Sequence, residues 1–80
     1  MNLNLKPKTR VVFDPLEMSA VNRRLLLAIG RGLSNKAIAF ELAKTENTVK
    51  AQVWVLSQKT GMDRLRMALL GARMLEAMAS

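Results

Sequence analysis

Apolar residues recur three and four positions apart in four stretches of this chain. That spacing places them on one face of an α-helix. The pattern predicts helices over about residues 19–30, 34–43, 46–60 and 64–77. The first stripe is the strongest, with Val21, Leu25, Leu26 and Ile29 in register and Leu27 widening it. We therefore predict a small all-α domain of four helices, preceded by a flexible basic arm over residues 1–12.

Polar residues suited to helix starts precede these stretches. Ser34, Thr45 and Asp63 stand before the second, third and fourth, where an oxygen can accept from the free amides of the first turn. The first helix can begin at Asp14, which precedes a proline, or at Ser19. The domain itself is predicted to cover residues 13–80.

The second and third stretches lie close together in the sequence, between Gly32 and Gly61. Gly30-Arg31-Gly32 ends the first helix with residues suited to left-handed backbone, and Ala43-Lys44 forms a short turn between the next two. Two short helices joined by such a turn predict a helix-turn-helix unit, whose second helix normally enters the DNA major groove.

Periodicity divides the third stretch into two faces. The buried face is predicted to carry Val49, Val53 or Gln52, Leu56 and Thr60. The outward face is predicted to carry Asn47, Lys50, Ala51, Trp54, Val55 and Gln58.

The amino-acid composition excludes several classes of function. The 80 residues make one small domain, and they contain no cysteine and no histidine, which excludes disulfides, thiol nucleophiles and imidazole bases. Paired carboxylates and phosphate-cradling loops are also missing, so we predict no enzyme, catalytic residue, metal or cofactor. No apolar run approaches a membrane span and no signal peptide is visible, which predicts a cytoplasmic protein.

The charge is strongly basic. Thirteen Lys and Arg against six Asp and Glu give a net charge of +7. The positive field of such a charge favours binding to DNA or to acidic protein surfaces; the alternative is that the charge only aids solubility. The basic arm is a mobile terminus, an extended strand on a partner, or a DNA contact.

Residues 32–61 resemble the DNA-binding domain of LuxR-type (GerE-like) bacterial regulators. That pattern reads roughly G-L-S-N-K-E-I-A-x-x-L-x-x-S-x-x-T-V-K-x-H-x-x-x-I-x-x-K-L-G. The matching positions are Gly32, Leu33, Ser34, Asn35, Lys36, Ile38, Ala39, Leu42, Thr48, Val49, Lys50, Lys59 and Gly61. The resemblance extends from about Met18 to about Leu75 and favours Ser19 as the first helix start. It implies a transcriptional regulator that binds double-stranded DNA and associates with the nucleoid. Most such regulators carry a preceding sensor domain; none is expected here, so a signal would act through abundance or a partner.

The resemblance also implies where DNA binds. Base contacts are implied at the positions of Lys50 and Trp54, with help from neighbouring side chains of the same helix, and backbone contacts at the start of the preceding helix. The predicted DNA-binding residues are Ser34, Asn35, Lys36, Asn47, Thr48, Lys50, Ala51, Trp54 and Gln58.

Trp54 departs from the family, which prefers a small polar or basic residue there. Three interpretations stay open: Trp54 packs sideways into the core, contacts thymine methyls or sugars, or anchors another protein. The last predicts an alternative function, in which Ala51, Trp54 and Val55 dock a larger transcriptional regulator and the chain acts, for example, as an anti-activator.

The last helix has two apolar stripes. One is Leu65, Ala68 or Leu69, Ala72 and Leu75; the other is Met67, Leu70, Met74 and Met78. One can close the core while the other meets a second chain, or the core can wrap both. The family dimerises through its final helix, which implies a homodimer through the second stripe: Met67, Leu70, Met74 and Met78.

Overall fold

The computed structural model describes residues 17–79, which form four helices. They are α1 (Ala20–Gly30), α2 (Asn35–Glu41), α3 (Glu46–Thr60) and α4 (Arg64–Ala79). The described residues contain no strand, which confirms the predicted all-α fold. Each helix end falls within two residues of its predicted position. The predicted arm over residues 1–12 and the alternative start at Asp14 lie outside the described residues.

Each helix begins with the side chain predicted to cap it. Ser19, Ser34, Thr45 and Asp63 each accept a hydrogen bond from the backbone amide three residues ahead. The donors are Asn22, Ala37, Thr48 and Arg66, at N···O distances of 3.1, 3.1, 3.1 and 2.9 Å, respectively. A cap of this kind stabilises a helix by about 1 kcal/mol, so these four residues set the helix starts.

The turns require left-handed backbone at three positions. Gly32 (φ 81°) follows α1 and Gly61 (φ 70°) ends α3, as their residue type predicts. Ala43 adopts φ 56° in the turn between α2 and α3, where a side chain costs roughly 1–2 kcal/mol. The amide of Lys44 donates to the Ala39 carbonyl oxygen at 2.9 Å and closes this turn.

The core contains apolar residues from all four helices. α1 contributes most of them, and Leu25, Leu26 and Ile29 are at most 2% exposed. Among residues 17–79, the buried apolar side chains are Leu25, Leu26, Ala28, Ile29, Ile38, Ala39, Val49, Leu56 and Met67. α2 and α3 pack on each other, as a helix-turn-helix requires, while α4 packs mainly along α1.

Two glycines bring the backbones of α1 and α4 into direct contact. A Cβ added at Gly71 would lie 2.3 Å from the Leu26 carbonyl oxygen and 2.9 Å from the Gly30 Cα. A Cβ added at Gly30 would lie 2.4 Å from the Gly71 carbonyl carbon. Both distances are far below van der Waals contact, so only glycine permits this approach.

The glycine contact turns most of the methionine-rich stripe of α4 towards the core, and it removes one residue from the predicted dimer surface. Met67 and Met74 lie four residues before and three residues after Gly71, so they share its face, and Leu70 lies three residues after Met67 and four before Met74. Met67 is fully buried, and Leu70 and Met74 pack against the core. Met67 therefore cannot contact a second chain, and its implied assignment to a dimer interface is wrong; Leu70 and Met74 are half-buried. Met78, in contrast, is 66% exposed.

The other stripe of α4 carries two exposed leucines. Leu65 is 68% exposed and Leu69 is 57% exposed. Within residues 17–79 no helix combines the length and the apolarity that crossing a membrane demands.

Candidate nucleic-acid interface

The outward face of α3 is the one that periodicity predicts. Val49 and Leu56 are buried, and Gln52, Val53 and Thr60 are half-buried, so both alternatives for the middle of the buried face contribute. All six residues predicted to face outward are exposed: Asn47, Lys50, Ala51, Trp54, Val55 and Gln58. This confirms the predicted orientation of α3.

Three of these exposed residues form an apolar surface that we call the Trp54 patch: Ala51, Trp54 and Val55. They stand at positions i, i+3 and i+4, so they adjoin on the helix surface. Trp54 is 64% exposed and Val55 48%. The interpretation in which Trp54 packs into the core is therefore wrong, and the two in which it meets a ligand remain.

On one side of the Trp54 patch lies an open cleft of about 350 Å³, which we call the α3–α4 cleft. Its walls come from α2, α3 and the beginning of α4. It is lined by Asn35, Lys50, Val53, Trp54, Ser57, Asp63, Arg64 and Met67. Lys50 and Arg64 supply two positive charges, whereas the carboxylate of Asp63 already accepts the amide of Arg66 as a helix cap. The cleft therefore combines an aromatic wall with two cations and one carboxylate.

On the other side lies the α1–α3 cleft, of about 310 Å³, lined by Asn22, Thr48, Ala51, Gln52 and Val55. The Gln52 Oε1 atom is buried and accepts no hydrogen bond from any described residue. Unpaired buried acceptors of this kind cost about 1–3 kcal/mol.

The residues predicted to contact the DNA backbone lie at the start of α2. They differ in how many of their hydrogen-bonding groups are already used within the protein. Ser34 Oγ accepts the Ala37 amide as a cap but keeps its own hydroxyl proton as a donor. Asn35 Oδ1 accepts from Arg64 Nη1 at 2.6 Å. Lys36 is exposed.

Near the start of α3, Asn47 and Thr48 are also exposed. The Thr48 hydroxyl lies 2.8 Å from that of Thr45, so the cap holds it in place. Gln58 lies two turns further along the same face as Lys50 and Trp54. The structure thus places every predicted DNA-binding residue of α3 on one exposed surface, with the start of α2 beside it across the α3–α4 cleft.

Two exposed residues were missing from the sequence prediction. Arg64 donates to Asn35 and, through Nη2 at 2.9 Å, to the Leu33 carbonyl oxygen. Its only sequence signal is a basic residue at the start of a helix, where acids are favoured. Phe40 is 91% exposed on α2. Its signal was its position two residues after Ile38, on the opposite side of the helix.

Comparisons with models of protein families, with curated proteins and with solved structures find no match for this chain. The LuxR-type resemblance therefore rests on the residues of this chain alone.

Proposed function

We propose that this chain is a small DNA-binding transcriptional regulator with a LuxR-type helix-turn-helix, acting in the cytoplasm on nucleoid DNA. α3 is the recognition helix that enters the major groove. The observation that carries the proposal is the outward face of α3, where Asn47, Lys50 and Gln58 are exposed together in a helix-turn-helix whose chain has a net charge of +7. In this proposal Lys50 donates to guanine O6 and N7 or to a phosphate, and Trp54 contacts thymine methyls or sugars.

The test begins with a randomised duplex library, from which the purified chain enriches its preferred sequence. Fluorescence anisotropy then measures affinity for the enriched duplex and for a scrambled one over a range of salt concentrations. We expect affinity to fall steeply with salt, because phosphate contacts release counterions. The result that refutes the proposal is an absence of binding to either duplex at a salt concentration of about 50 mM, where such contacts are strong.

Substitutions of two lysines on α3 distinguish a base contact from a nonspecific electrostatic attraction to DNA. Lys50→Ala should weaken binding to the enriched duplex by about 1–3 kcal/mol and reduce the preference over the scrambled duplex. Lys59→Ala removes the same charge from the last turn of the same helix. It should weaken both duplexes slightly and equally. Equal effects of the two substitutions would show that Lys50 reads no base.

The second candidate function is an interaction module that binds a larger transcriptional regulator, for example as an anti-activator. Its support is the Trp54 patch, because exposed Trp side chains are frequent anchors of protein interfaces. Trp54→Ala should abolish capture of the regulator, while Phe40→Ala, which also removes an exposed aromatic ring, should not. Trp54 is the single tryptophan, so its fluorescence reports directly whether DNA or the regulator buries it.

The proposed dimer also needs a revised surface. If two chains associate through α4, the apolar side chains available are Leu65, Leu69 and Met78, each more than half exposed. Leu69→Lys should then yield a monomer by analytical ultracentrifugation, with unchanged helix content. A dimer that survives this substitution would place the contact elsewhere.

A further inference from the structure

Arg64 connects the start of α4 to the first residue of α2, Asn35, which lies 29 residues earlier in the sequence, and to the loop before it. Its Nη1 donates to Asn35 Oδ1 at 2.6 Å and its Nη2 donates to the Leu33 carbonyl oxygen at 2.9 Å. The guanidinium is therefore held in one orientation at the rim of the α3–α4 cleft.

The position of this charge is unfavourable for the helix that carries it. Arg64 and Arg66 occupy the first turn of α4, which contains no acidic residue. The start of a helix is the positive end of its dipole, so cations there are repelled. A local rule broken in this way often marks a functional position. The Asp63 carboxylate at the cap offsets part of this repulsion, and a further anion in the cleft would offset more.

The contact also fixes the neighbouring amide. Because Asn35 Oδ1 accepts from Arg64, the amide group of Asn35 is oriented by the hydrogen bond and its NH2 group is left as a donor. The Arg64 guanidinium has five N–H groups, of which two make these contacts. Unused N–H donors of both residues are therefore available at a cleft that Lys50 also lines.

We propose that Arg64 and Asn35 together bind a backbone phosphate of the duplex, next to the base that Lys50 contacts. This inference rests on the proposed DNA-binding function. A phosphate fits because it accepts several hydrogen bonds and takes paired donors from arginine. Arg64 then acts both as a contact and as the residue that orients Asn35.

The experiment compares Arg64→Gln with Arg73→Gln, which removes the same charge from an exposed position on α4. Anisotropy titrations with the enriched and scrambled duplexes are repeated over the same salt range. Arg64→Gln should reduce the slope of log K against log salt by about one, for both duplexes alike, because one phosphate contact is lost. Arg73→Gln should leave the slope unchanged. Circular dichroism verifies that both variants are folded.

A second variant separates binding from structure. Asn35→Asp keeps an acceptor for Arg64, so the fold should be retained, but it places a negative charge where the phosphate would lie. Binding to both duplexes should fall by about tenfold or more, because like charges are opposed. Normal binding by Asn35→Asp, or an unchanged salt slope in Arg64→Gln, overturns the inference while the proposed function stands. A wild-type chain that binds neither duplex refutes both.

Discussion

Gly71→Ala tests the contact on which the arrangement of α4 depends. The new methyl group would lie 2.3 Å from the Leu26 carbonyl oxygen and 2.9 Å from the Gly30 Cα, against an ordinary contact of 3.4–4 Å. Both obstructing atoms belong to the backbone, so no side-chain rotation relieves the clash and the helices must separate by roughly 1 Å. Such overpacking costs about 1–3 kcal/mol and occasionally more. The higher helix propensity of alanine offsets up to about 1 kcal/mol of this cost.

We therefore expect Gly71→Ala to lower the free energy of unfolding by about 2 kcal/mol, which corresponds to a decrease in Tm of about 10 °C for a domain of this size. Urea and thermal unfolding followed by circular dichroism provide the measurement. Arg73→Ala, exposed on the same helix, is the control and should stay within about 0.5 kcal/mol of wild type. A Gly71→Ala variant as stable as wild type, or more stable, would show that α1 and α4 do not touch at this point.

Three further predictions concern the stability of the helix-turn-helix. Phe40→Ser should leave the free energy of unfolding within about 0.5 kcal/mol of wild type, whereas Ile38→Ala, two residues away in the core, should cost about 2–5 kcal/mol in the same urea titration. Thr45→Ala should cost about 1 kcal/mol through loss of the α3 cap, and an unchanged denaturation midpoint would contradict that role. The ion pair between Arg31 Nη1 and Glu41 Oε2, 2.6 Å apart and about half exposed, should contribute less than about 1 kcal/mol in a double-mutant cycle and fade with salt.

The helix ends and the face of α3 could be predicted because local residues determine them. Ser34 and Thr45 cap their helices through amides three residues ahead, an interaction that the sequence itself contains. The exposure of Lys50 and Trp54 follows in the same way from their spacing relative to Val49 and Leu56. These features need no knowledge of how the helices pack.

The orientation of α4 could not be predicted, since it depends on contacts between distant parts of the chain. Both of its stripes are apolar, so periodicity alone does not choose between Met67 and Leu69. Gly71 determines the orientation because its lack of a side chain allows the α1 backbone to approach. In the sequence alone, a glycine within a helical stretch indicates only a lower helix propensity. The link from Arg64 to Asn35 is likewise invisible to local patterns.

The charges of the α3–α4 cleft help to decide between the two candidate functions. A protein that covered Trp54 from this side would also remove Lys50 and Arg64 from water, and unpaired buried charges are strongly destabilising. Under the proposed function, DNA phosphates would pair with the same cations. A protein partner must therefore either carry carboxylates at this edge or approach from the α1–α3 cleft, through Ala51 and Val55. Lys50→Ala and Arg64→Gln together should weaken DNA binding severely, yet leave a partner that uses the α1–α3 cleft unaffected. Loss of both activities in this double variant would instead indicate an acidic partner that competes with DNA for one surface.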